Sequence, residues 1–77
     1  MTDSPFVYDP ATDSLYVKVR PEPSVDNEID DARDLVLDIG ADGAVVGYDI
    51  QHASQRPEVI AEALAALRAA QGVADVA

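Results

Sequence analysis

The 77-residue chain has no cysteine and no tryptophan, and a single methionine, phenylalanine and histidine. The missing cysteines remove disulfides, thiolate metal sites and cysteine nucleophiles together. Positive charge is also scarce: five Lys and Arg against fifteen Asp and Glu give a formal net charge of −10 and an isoelectric point near 4.1. Such a surface repels a phosphate backbone and an anionic membrane, so neither nucleic acid nor membrane is expected as a partner. No apolar run approaches the ~20 residues of a membrane span. The stretch Met1-Thr2-Asp3-Ser4-Pro5 lacks the basic start and apolar core of a signal peptide. A cytoplasmic location is the expectation.

What the chain does contain is ordinary for a folded protein, with 48% apolar and 26% charged residues, so residues 1–77 read as one small domain. A domain of this length buries only roughly 60–65% of its unfolded surface. Without disulfides or an obvious metal, small folds often gain stability by association. A homo-oligomer or a complex with a protein partner is therefore expected before any motif is considered.

The first half carries strand patterns. Phe6-Val7-Tyr8 is β-prone and is stopped by Asp9-Pro10, the start of a turn through Asp13. Leu15, Val17 and Val19 then alternate with Tyr16, Lys18 and Arg20. Pro21-Glu22-Pro23-Ser24 ends that run. Residues 22–34 hold Glu22, Asp26, Glu28, Asp30, Asp31 and Asp34 against the lone Arg33; Val25 and Ile29 have the spacing of a short edge segment, but the acidic density predicts a solvated loop. Leu35, Leu37 and Ile39 alternate again, Gly40-Ala41-Asp42-Gly43 is a strong tight-turn signal, and Val46, Tyr48 and Ile50 follow. Strands are predicted over about 5–9, 14–20, 34–40 and 44–51.

The tail changes period. Good helix formers fill Pro57 to Ala70, and Pro57 suits a first turn. Ser54 and Arg56 are both candidate N-caps. Ile60, Leu64, Leu67 and Gln71, with Ala63 beside them, form one stripe of a helix predicted over about 56–71. Gly72 suits the C′ position, and residues 72–77 are expected to fray. The predicted fold is α+β: a small four-stranded antiparallel sheet of two hairpins, with one C-terminal amphipathic helix packed on one face.

Several landmarks occur in a characteristic order. They are Tyr8-Asp9-Pro10, Asp13-x-Leu15-Tyr16-Val17, Glu28-Ile29-Asp30, Val36-Leu37-Asp38, Asp42-Gly43-x-Val45-Val46-Gly47-x-Asp49-Ile50 and Ala53-Ser54. In these residues, over roughly 6–55, the chain resembles the family known as domain of unknown function number 2283. That family more often has glutamate where Asp49 stands. The resemblance implies a small β-rich fold with a helix; it implies no known activity and brings no catalytic or ligand-binding residues.

Asp30, Asp31, Asp34 and Asp38 are oxygen ligands suited to calcium or magnesium, yet their spacing matches no EF-hand, and one His52 cannot by itself build a zinc site; a solvated acidic loop is the expectation. His52 and Ser54 stand two residues apart as a candidate catalytic pair without an evident orienting carboxylate or oxyanion hole. Asp9, Asp13 and Asp42 are expected to bond turn backbone. Tyr8 and Tyr48 are expected in the core. No catalytic, cofactor-binding or metal-ligating residue is assigned.

The strand alternation gives the more useful signal. Placing Leu15, Val17, Val19, Leu35, Leu37, Ile39, Val46, Tyr48 and Ile50 under the helix leaves an opposite face. That face would carry Tyr16, Lys18, Val36, Asp38, Val45 and Asp49, with Val7 or Phe6 from the first strand. Half apolar and rimmed by charge, it has the composition of a protein–protein interface, with Tyr16, Lys18, Val36, Asp38 and Val45 as its candidate residues. A non-enzymatic interaction module is the expected function. The alternatives are an acidic, antitoxin-like partner of a basic protein, and a metal-dependent or His-based hydrolase.

Overall fold

The computed structural model describes residues 5–71; residues 1–4 and 72–77, including the segment expected to fray, lie outside the described residues. Five strands, β1 (Phe6–Asp9), β2 (Ser14–Lys18), β3 (Asp26–Asp30), β4 (Leu35–Ile39) and β5 (Val45–Ile50), precede one helix, α1 (Pro57–Gln71). They form one antiparallel sheet in the order β1-β2-β5-β4-β3. None of the described helices is long and apolar enough to cross a membrane.

The sheet has five strands, not four. β3 occupies the stretch whose acidity predicted a solvated loop, and pairs along its length with β4, from Asp26↔Ile39 to Asp30↔Leu35. As an edge strand it needs only one partner, so its outer side stays wet and tolerates charge. Its carboxylates also serve it: Asp26 accepts from the Asn27 amide at 2.8 Å, and Asp30 accepts from the Arg33 backbone N–H at 3.3 Å. Composition suppressed a strand that the spacing of Val25 and Ile29 had signalled.

The β1–β2 and β4–β5 turns follow from local side-chain chemistry. The Asp9 carboxylate accepts from the Ala11 amide at 3.0 Å, and the Asp42 carboxylate accepts from the Ala44 amide at 3.1 Å, the Asx geometry expected of turn aspartates. In the β4–β5 turn only Gly43 takes positive φ, at 85°, and the Gly43 amide donates to the Gly40 carbonyl at 3.0 Å. A type I turn followed by a left-handed glycine has this signature.

The core lies between α1 and the middle of the sheet. Val17, Leu35, Ile50, Val59 and Ala63 are almost wholly buried, with Val19, Tyr48, Ala53 and Leu67 around them. The helix stripe is rotated from the predicted one. Val59, Ala63 and Leu67, at i, i+4 and i+8, face the sheet, while Leu64 is 37% exposed and Gln71 is exposed. Ala63 and Ala66 in the contact zone let α1 sit close, so the buried face is marked by small side chains as well as by Val59 and Leu67. Tyr48 is in the core as expected, but Tyr8 is 51% exposed. α1 packs on β2 and β5 and leaves the outer strand β1 uncovered.

A bulge also corrects the assignment of faces. The β4–β5 register shifts between Asp38 and Ile39, so Asp38 pairs with Gly47 but Ile39 pairs with Val45. Val45 therefore shares a face with Ile39 and packs against the helix-covered core, not on the opposite face where strict alternation placed it. Val46 is the extra residue; it is fully buried but lies outside the helix-covered cluster, beside Gly40, where a Cβ would come within 2.9 Å of Val46 Cγ1.

Candidate functional site

Two polar constellations stand out, one on the face of the sheet without a helix and one at the end where β1–β2, β4 and α1 meet. On the helix-free face the register lines up Val7, Tyr16, Asp49, Val36 and Ile29 across all five strands. Lys18, Gly47, Asp38 and Asn27 form the neighbouring row. Four of the five predicted interface residues, Tyr16, Lys18, Val36 and Asp38, thus share this face; Val45 does not.

Tyr16 organises the centre. From β2 it reaches over β5 to β4, where its hydroxyl donates to Asp38 Oδ2 at 2.7 Å. The route passes directly above Gly47: a Cβ there would overlap the Tyr16 hydroxyl. Glycine at 47 is thus required by a close approach; its φ is not positive. Asn27 Nδ2 donates to the other Asp38 oxygen at 3.1 Å, and Gln51 Nε2 donates to Asp49 Oδ1 at 3.0 Å. Partial burial and the bond to Asp38 push the Tyr16 phenol up to about 12. Burial, with Asp38 close by, also raises the Asp49 carboxyl above its usual range. Both shifts have the same leading cause: partial burial disfavours the charged form, and the neighbouring Asp38 carboxylate adds to it.

The second constellation ties chain segments together. Asp13, at φ 54°, Asp34, at φ 50°, and His52, at φ 52°, are the non-glycine residues in the left-handed region. Asp13 was expected to bond its own turn. Instead its carboxylate accepts from Ser54 Oγ at 2.7 Å and from the Ser54 amide at 3.2 Å, and its carbonyl accepts from the Ala53 amide at 2.8 Å. Tyr8 donates to the same carboxylate at 2.8 Å, and the Ser54 and Tyr8 bonds lower the Asp13 pKa. Asp34 Oδ2 lies 3.2 Å from both His52 Nδ1 and Arg56 Nη2. Arg33 joins the end of β3 to the helix through Asp30 at 2.8 Å and Glu62 at 2.5 Å.

His52 and Ser54 bond different carboxylates, Asp34 and Asp13, so the serine hydroxyl donates to an acid and not to the imidazole. The four aspartates weighed as oxygen ligands are dispersed: Asp30 pairs with Arg33, Asp34 with Arg56, Asp38 bonds Tyr16, and Asp31 is exposed at a short 3-10 turn. Among the described residues, no three His, Asp or Glu side chains gather into a group able to hold a metal ion. A recess of about 640 Å³ opens between the end of β2 and the end of α1, lined by Lys18, Arg20, Leu67 and Gln71 among others. Its two cations are already engaged, Lys18 with the Glu22 carbonyl and Arg20 with Glu22 and Asp42.

The fold and surface define a small acidic α+β protein in which one helix covers one side of an antiparallel sheet. Residues 6–54 match the family described as "Protein of unknown function (DUF2283)", and the chain belongs to that family. The matched segment holds all five strands, the Tyr16–Gly47–Asp38 crossing and the Asp13–Ser54 tie, and stops before α1. No curated protein and no solved structure matches the chain.

Proposed function

We propose that this protein is a non-enzymatic, cytoplasmic protein-interaction module whose working surface is the helix-free face of its sheet. One observation carries the reading: the edge strand β3 turns its apolar side chain away from the helix. Ile29 pairs with Val36 and shares its face, and Ile29 is 70% exposed while Val7, at the other end of the row, is 63% exposed. On β2, β4 and β5 the larger apolar side chains face α1. On β3 the acids Asp26, Glu28 and Asp30 take the helix side instead, paired with Ile39, Leu37 and Leu35. A strand selected only to be wet has no reason for that inversion; a strand completing an apolar row on a docking face does. Composition supports the same reading, since a row that sets Tyr16 and Asp49 among the apolar Val7, Val36 and Ile29 mixes aromatic, apolar and charged groups as interfaces do.

The test is Val36→Lys, which puts a flexible charge between Asp49 and Ile29 in the row without touching the buried core. The native mass of the protein purified from its own host is expected to exceed 8.2 kDa and to fall to the single-chain value in V36K, with the far-ultraviolet spectrum unchanged. A folded V36K variant that keeps the wild-type mass, or a wild-type protein that runs as a single chain, overturns the proposal.

A further inference from the structure

The occupant of the face is readable from its charge. We infer that the helix-free face docks a cationic segment of a different protein, with arginine or lysine side chains received by Asp38 and Asp49 between the apolar residues Val7, Val36 and Ile29. This rests on the proposal that the face is an interaction surface, and adds the identity of the partner's chemistry.

The two carboxylates lie in adjacent rows of the sheet, Asp49 paired with Val36 and Asp38 paired with Gly47. Gly47 has no side chain, so only the Tyr16 ring fills the space between the rows. Every donor that reaches these carboxylates is neutral: the Tyr16 hydroxyl and the Asn27 and Gln51 amides. Among the described residues neither acid has an ion pair; four of the protein's five Lys and Arg are engaged elsewhere, and the fifth, Arg68, is exposed on α1, across the sheet from this face. Arg20 pairs with Glu22 and Asp42, Arg33 with Asp30 and Glu62, and Arg56 with Asp34. Lys18, the cation on this face, sends its ammonium to the Glu22 carbonyl. A surface that keeps negative charge half buried while spending its guanidinium groups elsewhere is complementary to a cation from outside.

The same facts weigh against a second copy. A two-fold dimer through this face is isologous, so Asp38 and Asp49 of each protomer would be buried against the apolar row or the same carboxylates of the other, and the one cation the face brings, Lys18, is held by the Glu22 carbonyl. Like charges meeting in a desolvated interface cost affinity, and two chains of −10 each also repel during approach. A basic partner reverses both signs. The net charge steers it in, and an alternation of cationic and apolar side chains matches carboxylates flanked by Val7, Val36 and Ile29.

The experiment is a titration of the ¹⁵N-labelled protein with a short peptide alternating arginine and valine, and with its counterpart alternating glutamate and valine. Only the arginine peptide is expected to bind, moving the amide signals of Val36, Gly47 and Asp49. Asp49→Asn is nearly isosteric and keeps the Gln51 bond; combined with Asp38→Asn it is expected to weaken binding at least ~10-fold. Affinity is also expected to fall steeply as salt is raised. If Val36→Lys abolishes binding but the double aspartate variant does not, the face is an interaction surface and the cation inference fails. Concentration-dependent shifts of the same amides without peptide identify a second copy as the occupant and overturn it as well. Shifts confined to the acidic β3 edge, or no shifts, also reject it.

Discussion

The two faces of the sheet are built from the same strands and solve opposite problems. Under α1, Val17, Leu35, Ile50, Val59 and Ala63 are almost wholly buried, and no polar or charged residue among those described is buried. On the other face Tyr16, Val36, Asp38 and Asp49 are only half buried, and polar bonds running between strands take the place of a covering layer. One face is held by the area it removes from water, the other by a tyrosine laid flat across a glycine. Stability therefore belongs to the first face, and the proposed recognition to the second.

The largest effect that sharpens this contrast is Ile50→Ala against Val36→Ala. Ile50 is fully buried, and truncating such a residue costs about 2–5 kcal/mol, a large share of the stability of so small a domain. Val36 is half exposed on the uncovered face, and its truncation is expected to cost within about 1 kcal/mol. Urea denaturation midpoints measure both. Equal losses would mean that the two faces are equally structural, and the division of labour would fall.

How legible each face was follows from the same division. The covered face follows from alternation along β2, β4 and β5, because burial imposes a period of two on the side chains that must be dry. Alternation failed where the backbone departs from that period: the extra residue in β5 moved Val45 to the covered side, and nothing in Val45-Val46 distinguishes a bulge from a regular strand. β3 was obscured for a different reason. An edge strand needs hydrogen bonds on one side only, so its composition is free to look like a loop. The helix stripe is legible in part: Ala63 and Leu67 are buried as the spacing predicts, but the stripe turns toward Val59 and away from Leu64 and Gln71, because close packing on a sheet favours small and β-branched side chains. The long-range bonds were beyond reach of local rules. Asp13 reads as a turn aspartate, and its bond to Ser54 exists only once the end of β5 is brought beside the first hairpin. Gly47 carried a signal, a glycine between β-branched and aromatic residues, which reads as a close backbone approach. The side chain approaching it could be named only from the register.

Gly47→Ala is the next largest effect and tests the organisation of the open face directly. The new methyl group would overlap the Tyr16 hydroxyl, so the ring must lift and give up its bond to Asp38. Overpacking of this kind costs roughly 1–3 kcal/mol. In a Tyr16→Ala background the obstacle is gone, and the same Gly47→Ala change is expected to be neutral or mildly stabilising, since alanine constrains the unfolded chain more than glycine. A thermodynamic cycle on the four proteins should give a coupling of about 1 kcal/mol or more. Additive effects would show that Tyr16 does not lie over Gly47 in solution.

The smallest expected effect runs in the stabilising direction. Burial and the neighbouring Asp38 raise the folded-state pKa of Asp49 above the ordinary aspartate value, so ionising it is harder in the folded protein than in the unfolded chain. At neutral pH that is a penalty on the fold. Asp49→Asn removes it while keeping an acceptor for Gln51, and is expected to raise stability by ~0.5 kcal/mol, or about 2–4 °C in Tm. The sign fixes the pH dependence. Between the unfolded and folded pKa values the native protein holds more proton than the unfolded chain, so wild-type stability gains from this group as pH falls through that window. The gap between variant and wild type should therefore be widest near pH 7, shrink as pH drops through the raised value of Asp49, and close below the ordinary value of 3.8. Asp13, Asp30 and Asp42, whose pKa values are lowered, act in the opposite direction but are common to both proteins and cancel in the difference. Melting curves of the two proteins across that range measure the gap, and a gap independent of pH would show that Asp49 carries no electrostatic penalty.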